Sequence, residues 1–267
     1  VSLDAIRPVD LLALLRHPVT LGVLGAMVGS FLNVVIHRVP RGVSVVTGGS
    51  HCPQCEKPIR PWDNVPILSW LWLRGRCRAC GAPISARYPT VEALTAALFV
   101  VTGWWAPSLV ALAFMLPFVS AMVVITFIDH DHMIIPDSIT IPGMAAGIAA
   151  AFLGAAVRPA QAVVGLIVGG GGLLAVAVAY RAATGRHGVG GGDIKLLGMV
   201  GAFLGPVGAF LTIMVGSVAG TLFACALMLR GRASRTAELP FGTFLAPGAV
   251  LVLFLGARIV DVYWGLF

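Results

Sequence analysis

The chain has 267 residues, of which 58% are apolar and 11% charged, and its mean hydropathy is +0.95. These values exclude a soluble globular domain, a disordered chain, a coiled coil and a secreted disulfide scaffold, and they make an all-α polytopic membrane protein the expected class. The net charge of +7 is read in such a chain as a record of which loops stay in the cytoplasm, so no nucleic-acid partner is expected.

The run from Pro18 to Ile36 carries no formal charge and is long enough to cross a hydrocarbon core of about 30 Å. Asp4 and Asp10 precede it and Arg38-Val-Pro-Arg41 follows it, the wrong flanks for a cleaved signal peptide, so the run is expected to be retained. From His37 to Tyr88 the chain turns polar, Pro-rich and Cys-containing, which predicts an extramembrane subdomain. Apolar runs then resume at 91–105, 108–128, 139–157, 162–180, 194–204, 207–229 and 241–259, giving about eight transmembrane helices. The run at Ile194 is short and Gly-interrupted, fitting a half-helix among its neighbours as well as a full span. No repeat of fixed period is expected, and Val168-Gly-Gly-Gly-Gly172 reads as close helix packing. The domain division is 1–36 for the N-terminal segment and first helix, 37–90 for the Cys subdomain and 91–267 for the remaining spans.

With eight spans and both termini outside, fourteen of the 18 Lys and Arg residues fall on the cytoplasmic side and Arg7, Arg16, Arg158 and Arg258 fall outside. That bias puts the Cys subdomain, the loop after Asp129 and the loop before Asp193 in the cytoplasm.

The subdomain carries Cys52-Pro-Gln-Cys55 and Cys77-Arg-Ala-Cys80, separated by 21 residues. Two Cys-x-x-Cys knuckles at this separation suit one tetrahedral Zn2+ held by Cys52, Cys55, Cys77 and Cys80; a closed four-thiolate site is structural, and about fifty residues need such a staple. Redox pairs are the alternative, which a reducing compartment disfavours. Gly81 is expected to relax the chain after the second pair, and Cys225 to be a small packing residue. Trp62, Trp70 and Trp72 fit equally a rigid groove, with Asp63 and Asn64 as its polar contacts, and a tryptophan belt at headgroup depth.

Only 11 acidic residues exist, yet Asp129, Asp131 and Asp137 cluster at one span end and Asp193 opens another span behind glycines. Ionisable groups at such positions are expected to be functional. Asp129 closes the third helix; if it meets Asp193, the two can share a proton as the carboxylates of aspartic proteases do. A helix-dipole role or a salt bridge to Lys195 is the structural alternative for both. Asp137 reads as an N-cap. His130, Asp131 and His132 fit a solvated loop or a metal-binding cluster, although alternate helical residues diverge.

Seven motifs in order, Gly29-Ser-Phe-Leu-Asn-Val-Val35 with Arg38-x-Pro40, the paired Cys-x-x-Cys, Pro66-Ile-Leu-Ser-Trp70, Arg87-Tyr-Pro-x-x-Glu92, Ile128-Asp-x-Asp131 to Pro136-Asp137, Gly190-x-Gly-Asp-x-Lys-Leu196 and Pro240-Phe-Gly242, resemble the bacterial type IV prepilin peptidases. The resemblance spans nearly the whole chain. It implies a bifunctional multi-pass enzyme of the bacterial inner membrane, which removes the leader from prepilins and pseudopilins and N-methylates the new terminus with S-adenosylmethionine. It further implies that Asp129 and Asp193 are the catalytic aspartates, working at the cytoplasmic face of the lipid bilayer, and that the four cysteines mark the bifunctional branch. His130 stands where that pattern has an aliphatic residue. No Gly-x-Gly-x-x-Gly context offers a methyl-donor fold; the cytoplasmic surface between the first two helices is the expected docking place, with Asp63, Asn64 and Glu92 as cofactor contacts. A metal-dependent protease built on Asp129, His130, Asp131 and His132 and an ion-coupled transporter are the rival readings. Which pilin is served, and the oligomeric state, are open at this level.

Overall fold

The structure is a computed structural model that describes residues 13–186, 188–231 and 239–265. Asp4, Asp10, Arg7, Arg232 and Arg235, used above for retention and topology, lie outside these residues. The described chain is helical, with two isolated antiparallel bridges, His51 to Pro58 and Arg76 to Pro83. It divides into two compact units between Ser120 and Ala121.

The first unit is built on α1 (Pro18–Arg38) and α3 (Arg87–Trp105), with the Cys subdomain and the short α2 (Leu68–Trp72) inserted between them. A side chain at Gly25 would strike the backbone of Ala96, and one at Gly29 would strike that of Glu92, while Leu21 lies against Gly103. The descending order of these partners makes α1 and α3 antiparallel, and the missing Cβ atoms let the backbones touch, the usual means of joining helices where water supplies no hydrophobic drive. Asn33 donates to the carbonyls of Gly29 and Tyr88 at 3.2 and 3.1 Å, tying α1 to the start of α3. α4 (Leu109–His132) crosses the boundary between the units.

The second unit contains the end of α4, α5 (Asp137–Phe152), α6 (Pro159–Leu166) continued through a π-helical turn (Ile167–Gly171) into α7 (Gly172–Thr184), α8 (Gly191–Leu229) and α9 (Gly242–Trp264). The glycine run 169–172 is helical, and its first half packs closely: a Cβ on Gly169 would lie 2.5 Å from the Leu197 carbonyl oxygen and 3.3 Å from Ala209 Cβ, whereas Gly171 and Gly172 are exposed. Leu197 and Ala209 would stand about 18 Å apart along a straight helix. They meet around one glycine because Gly205, at φ 72° and ψ −178°, reverses the chain in a conformation that essentially only glycine adopts. α8 is therefore a helical hairpin of two arms, 191–204 and 206–229, and the expected division of this region into two segments is observed.

Among the described residues five helical stretches, Pro18–Arg41, Leu109–His132, Pro159–Thr184, Gly191–Leu229 and Gly242–Trp264, are long and apolar enough to cross a membrane, and Asp137–Phe152 is apolar but shorter. The chain is a multi-pass membrane protein. Three local expectations are corrected. Asp129 does not close its helix, which continues through His132 before Met133 breaks it at φ 53°. Asp137 does not cap α5: Pro136 holds the cap position and Asp137 is the first helical residue. Cys225 is exposed rather than packed.

Candidate active site and metal site

The four thiols of Cys52, Cys55, Cys77 and Cys80 converge, with all their sulfurs within 4.8 Å of one another and Cys52 Sγ 3.8 Å from Cys80 Sγ. A tetrahedron with metal–sulfur bonds of about 2.3 Å has edges of about 3.8 Å, so this donor set fits one zinc ion. The two knuckles share one backbone design. Cys52 N–H donates to Lys57 O and Glu56 N–H to Cys52 O; Cys77 N–H donates to Ala82 O and Gly81 N–H to Cys77 O. Ile59 N–H to Ser50 O and Ile84 N–H to Gly75 O close the two loops. Each partner is displaced by 25 residues, and the shared pattern Cys-x-x-Cys-x-x-Pro-Ile at 52–59 and 77–84 is a local two-fold repeat, which corrects the expectation of no repeat. Both loops need a left-handed residue after the second Cys: Gly81 takes φ 73°, as expected, whereas Glu56 takes φ 56° despite its side chain. The amide groups of Cys55 and Gln54 point at the Cys52 sulfur and lower its thiol to about 6, whereas at Cys80 the Ala82 amide is outweighed by burial and the neighbouring thiols, which push it up to about 11.

Asp63 and Glu92, expected to contact a methyl donor, have partners within the fold. Asp63 accepts a bidentate pair from Arg78, with Nη2 at 2.7 Å, which pins the turn Pro61–Asn64 to the second knuckle and holds the Asp63 carboxyl below its usual range. Glu92 is buried and its Oε2 accepts Ile67 N–H at 2.7 Å. Ile67 has φ 64° and ψ −52°, a strained turn for a β-branched residue. The buried carboxylate holds that turn in place. Asn64 is exposed. Trp70 leaves the expected groove or belt: its indole N–H donates to Ile84 O at 3.0 Å and its ring lies against Gly75, inside the subdomain.

In the second unit, Asp129 is 4% exposed in the last turn of α4. Its Oδ2 accepts Thr243 N–H at 2.7 Å and Thr243 Oγ1 at 3.3 Å, from the first turn of α9. A Cβ on Gly242 would sit 2.9 Å from the same oxygen and 2.7 Å from Ile135 Cδ1, so only glycine lets α9 approach this closely. Ile135 is also the neighbour of Gly192, where a Cβ would lie 2.8 Å from Ile135 Cβ. Gly242, which touches Asp129, and Gly192, which precedes Asp193, thus pack against one isoleucine, and the charge of Asp129 acts on Asp193. Asp193 Oδ1 is buried and has no hydrogen-bond partner. An unpaired buried carboxylate oxygen is costly unless it carries a proton or meets a substrate.

Lys195 serves neither acid. Its Nζ bonds both oxygens of Asp137, at 2.7 and 2.6 Å, which removes the salt-bridge explanation for Asp129 and Asp193 and gives Asp137 a partner other than a helix end. His130, Asp131 and His132 are exposed on the last helical turn, and among the described residues the only cluster able to hold a metal is the cysteine set. Thr243 and Ile135 were not singled out from sequence. The Pro240-Phe-Gly242 motif was the available signal, since it ends one residue before the Asp129 donor.

Apolar helices of membrane-spanning length, a buried Asp129, a half-buried Asp193 and a four-thiolate cluster make a multi-pass membrane protein that carries the acidic groups an aspartic hydrolase requires. The chain belongs to the type IV leader peptidase family: residues 115–225 match the model of that family and residues 23–106 match that of the bacterial peptidase A24 N-terminal domain. A protein of Aeromonas hydrophila is 38% identical over 267 residues, covering 89% of this chain and 90% of its own. One of Pseudomonas putida is 37% identical over 259 residues, covering 89% and 90%, and one of Dichelobacter nodosus is 34% identical over 270, covering 91% and 93%. All three are named prepilin leader peptidase/N-methyltransferase. No solved structure matches the chain.

Proposed function

We propose that Asp129 and Asp193 are the catalytic pair of this enzyme, which cleaves the leader peptides of type IV prepilins and N-methylates the newly exposed terminus. The peptidase and methyltransferase activities follow from family membership and from relatives matched over about nine-tenths of their length. The residues that carry them are our reading. The observation behind the peptidase assignment is the approach of α4, carrying the buried Asp129, and the start of α8, carrying the half-buried Asp193 with its buried Oδ1, around Ile135.

The chemistry follows from the unequal surroundings of the two acids. Asp129 accepts from Thr243 N–H at the start of α9, where amide dipoles favour negative charge, so it is the acid that stays ionised. Asp193 has an orphaned oxygen and a like charge nearby, so it is the acid that holds the shared proton. Asp129 draws a proton from a water as that water attacks the scissile carbonyl carbon, and Asp193 gives its proton to the substrate. The tetrahedral adduct then collapses: Asp129 passes the water proton to the amide nitrogen, which leaves as an amine, while Asp193 takes a proton back from a hydroxyl of the adduct as the carbonyl reforms. No metal takes part in this scheme.

The positive-inside pattern supports a bacterial inner-membrane location with this pair and the Cys subdomain at the cytoplasmic face, both termini outside and eight spans in all. A scissile bond between a basic leader and an apolar helix falls at the same boundary in prepilins and pseudopilins. We read 1–36, 37–90 and 91–267 as first helix, methyltransferase-associated subdomain and peptidase domain. Cys52, Cys55, Cys77 and Cys80 hold a structural zinc ion, and S-adenosylmethionine supplies the methyl group when bound. Asn64 is the exposed candidate to contact it; Asp63 and Glu92 keep the surface around it in shape.

The test is detergent-purified protein with a synthetic prepilin. Asp129→Asn and Asp193→Asn are each expected to lower cleavage by ~10³-fold or more with unchanged melting behaviour. Processing at near the wild-type rate by either variant overturns the assignment.

A further inference from the structure

The aromatic segment between the two knuckles divides in the structure. Trp70 turns inward, whereas Leu68, Leu71 and Trp72 are 65%, 58% and 82% exposed. These three stand at i, i+3 and i+4 of α2, so they form one face of a single helical turn. None of the described residues of the first unit covers that face, and Trp62, in the turn before it, is 63% exposed as well. So much bare apolar surface on so small a subdomain calls for an occupant.

Two observations identify it. The first is position. Ile67, which leads into α2, is hydrogen-bonded to Glu92 within the first two turns of α3, and α3 runs antiparallel to the apolar α1. The subdomain is anchored to this helix pair at both of its ends, so α2 starts at the depth where the helices leave the bilayer. The second is charge. Arg74 and Arg76, both exposed, follow α2 directly, and the guanidinium of Arg60 lies 5.8 Å from the Trp62 ring centre. Apolar and indole side chains bordered by exposed cations match the boundary between acyl chains and anionic phosphate headgroups.

We propose that the Leu68–Leu71–Trp72 face of α2 is an interfacial anchor that lays the Cys subdomain on the anionic surface of the bilayer. The strained Ile67 turn and its Glu92 clamp set the direction of that face. The occupant is lipid, not a protein partner, and the inference does not depend on the catalytic assignment above.

The test uses the full chain in nanodiscs of phosphatidylcholine and phosphatidylglycerol, comparing the wild-type protein with Trp72→Phe. The difference between their emissions isolates Trp72. Bromine carried on acyl-chain carbons near the glycerol is expected to quench the Trp72 contribution at least ~3-fold more than aqueous acrylamide does. In Leu68→Asp plus Leu71→Asp that order reverses, with circular dichroism unchanged. Acrylamide quenching of Trp72 in the wild-type protein would show a face turned to water and would overturn the proposal. Shielding of Trp72 from both quenchers would show that protein covers it, with the same consequence.

Discussion

The cysteine subdomain and the aspartate site reach their geometry by opposite routes. In the subdomain each half of the site is made within ten residues, 50–59 and 75–84, by the same turn and the same three backbone hydrogen bonds. The Asp129 site is made by residues far apart in sequence: Thr243 reaches Asp129 across 114 positions, and Gly192, beside Asp193, packs on Ile135 of a third segment. The metal site therefore depends on its ligands and local turns, and the acid site depends on helix packing that a single methyl group can spoil.

The sharpest way to break this comparison is the metal. Cys52→Ser with Cys77→Ser is expected to take zinc from near one equivalent to none and to unfold the subdomain, while the Asp129–Thr243 contact and the helices of the second unit survive. Metal analysis with hydrogen exchange resolved by segment reads both effects; a collapse spread equally over both units would contradict it.

A packing change comes next. Gly242→Val places carbon within contact of Asp129 Oδ2 and Ile135, and it is expected to lower cleavage by ~10²-fold while zinc content stays constant. Unaltered cleavage by a folded Gly242→Val protein would show that the site tolerates what the geometry forbids. Thr243→Val keeps the backbone amide and removes only the longer hydroxyl contact, so a loss of about 3- to 10-fold is expected in the same assay. The smallest effect belongs to Asp137→Asn. Its pair with Lys195 is exposed, with the side chains 54% and 41% accessible, and the loss expected in reversible unfolding is at most about 1 kcal/mol, with cleavage within a few-fold.

Most of the helical inventory was legible, since uncharged runs long enough for a bilayer can hardly fold otherwise. Boundaries slipped where polar residues extend a helix past its apolar part, as at Arg87–Tyr88 and at His130–His132. The acids were legible as a group because so few occur, but their partners were not. Asp137 looked like a cap because Pro136 precedes it, and Lys195 looked like the partner of the nearest acid; the fold joins these two across 58 positions instead.

The sequence by itself determined that this is a membrane protein, that four thiols at a 25-residue offset meet, and that Asp129 and Asp193 are the acids to watch. Each of these rests on composition or on short-range geometry. Only the tertiary structure decided the reversal at Gly205, the inward turn of Trp70, the engagement of Asp63 and Glu92, and the clasp of Thr243 on Asp129. In apolar helices that are greasy all round, periodicity does not mark the packed face. Contacts are chosen by where small residues let two backbones meet, and that depends on both helices at once.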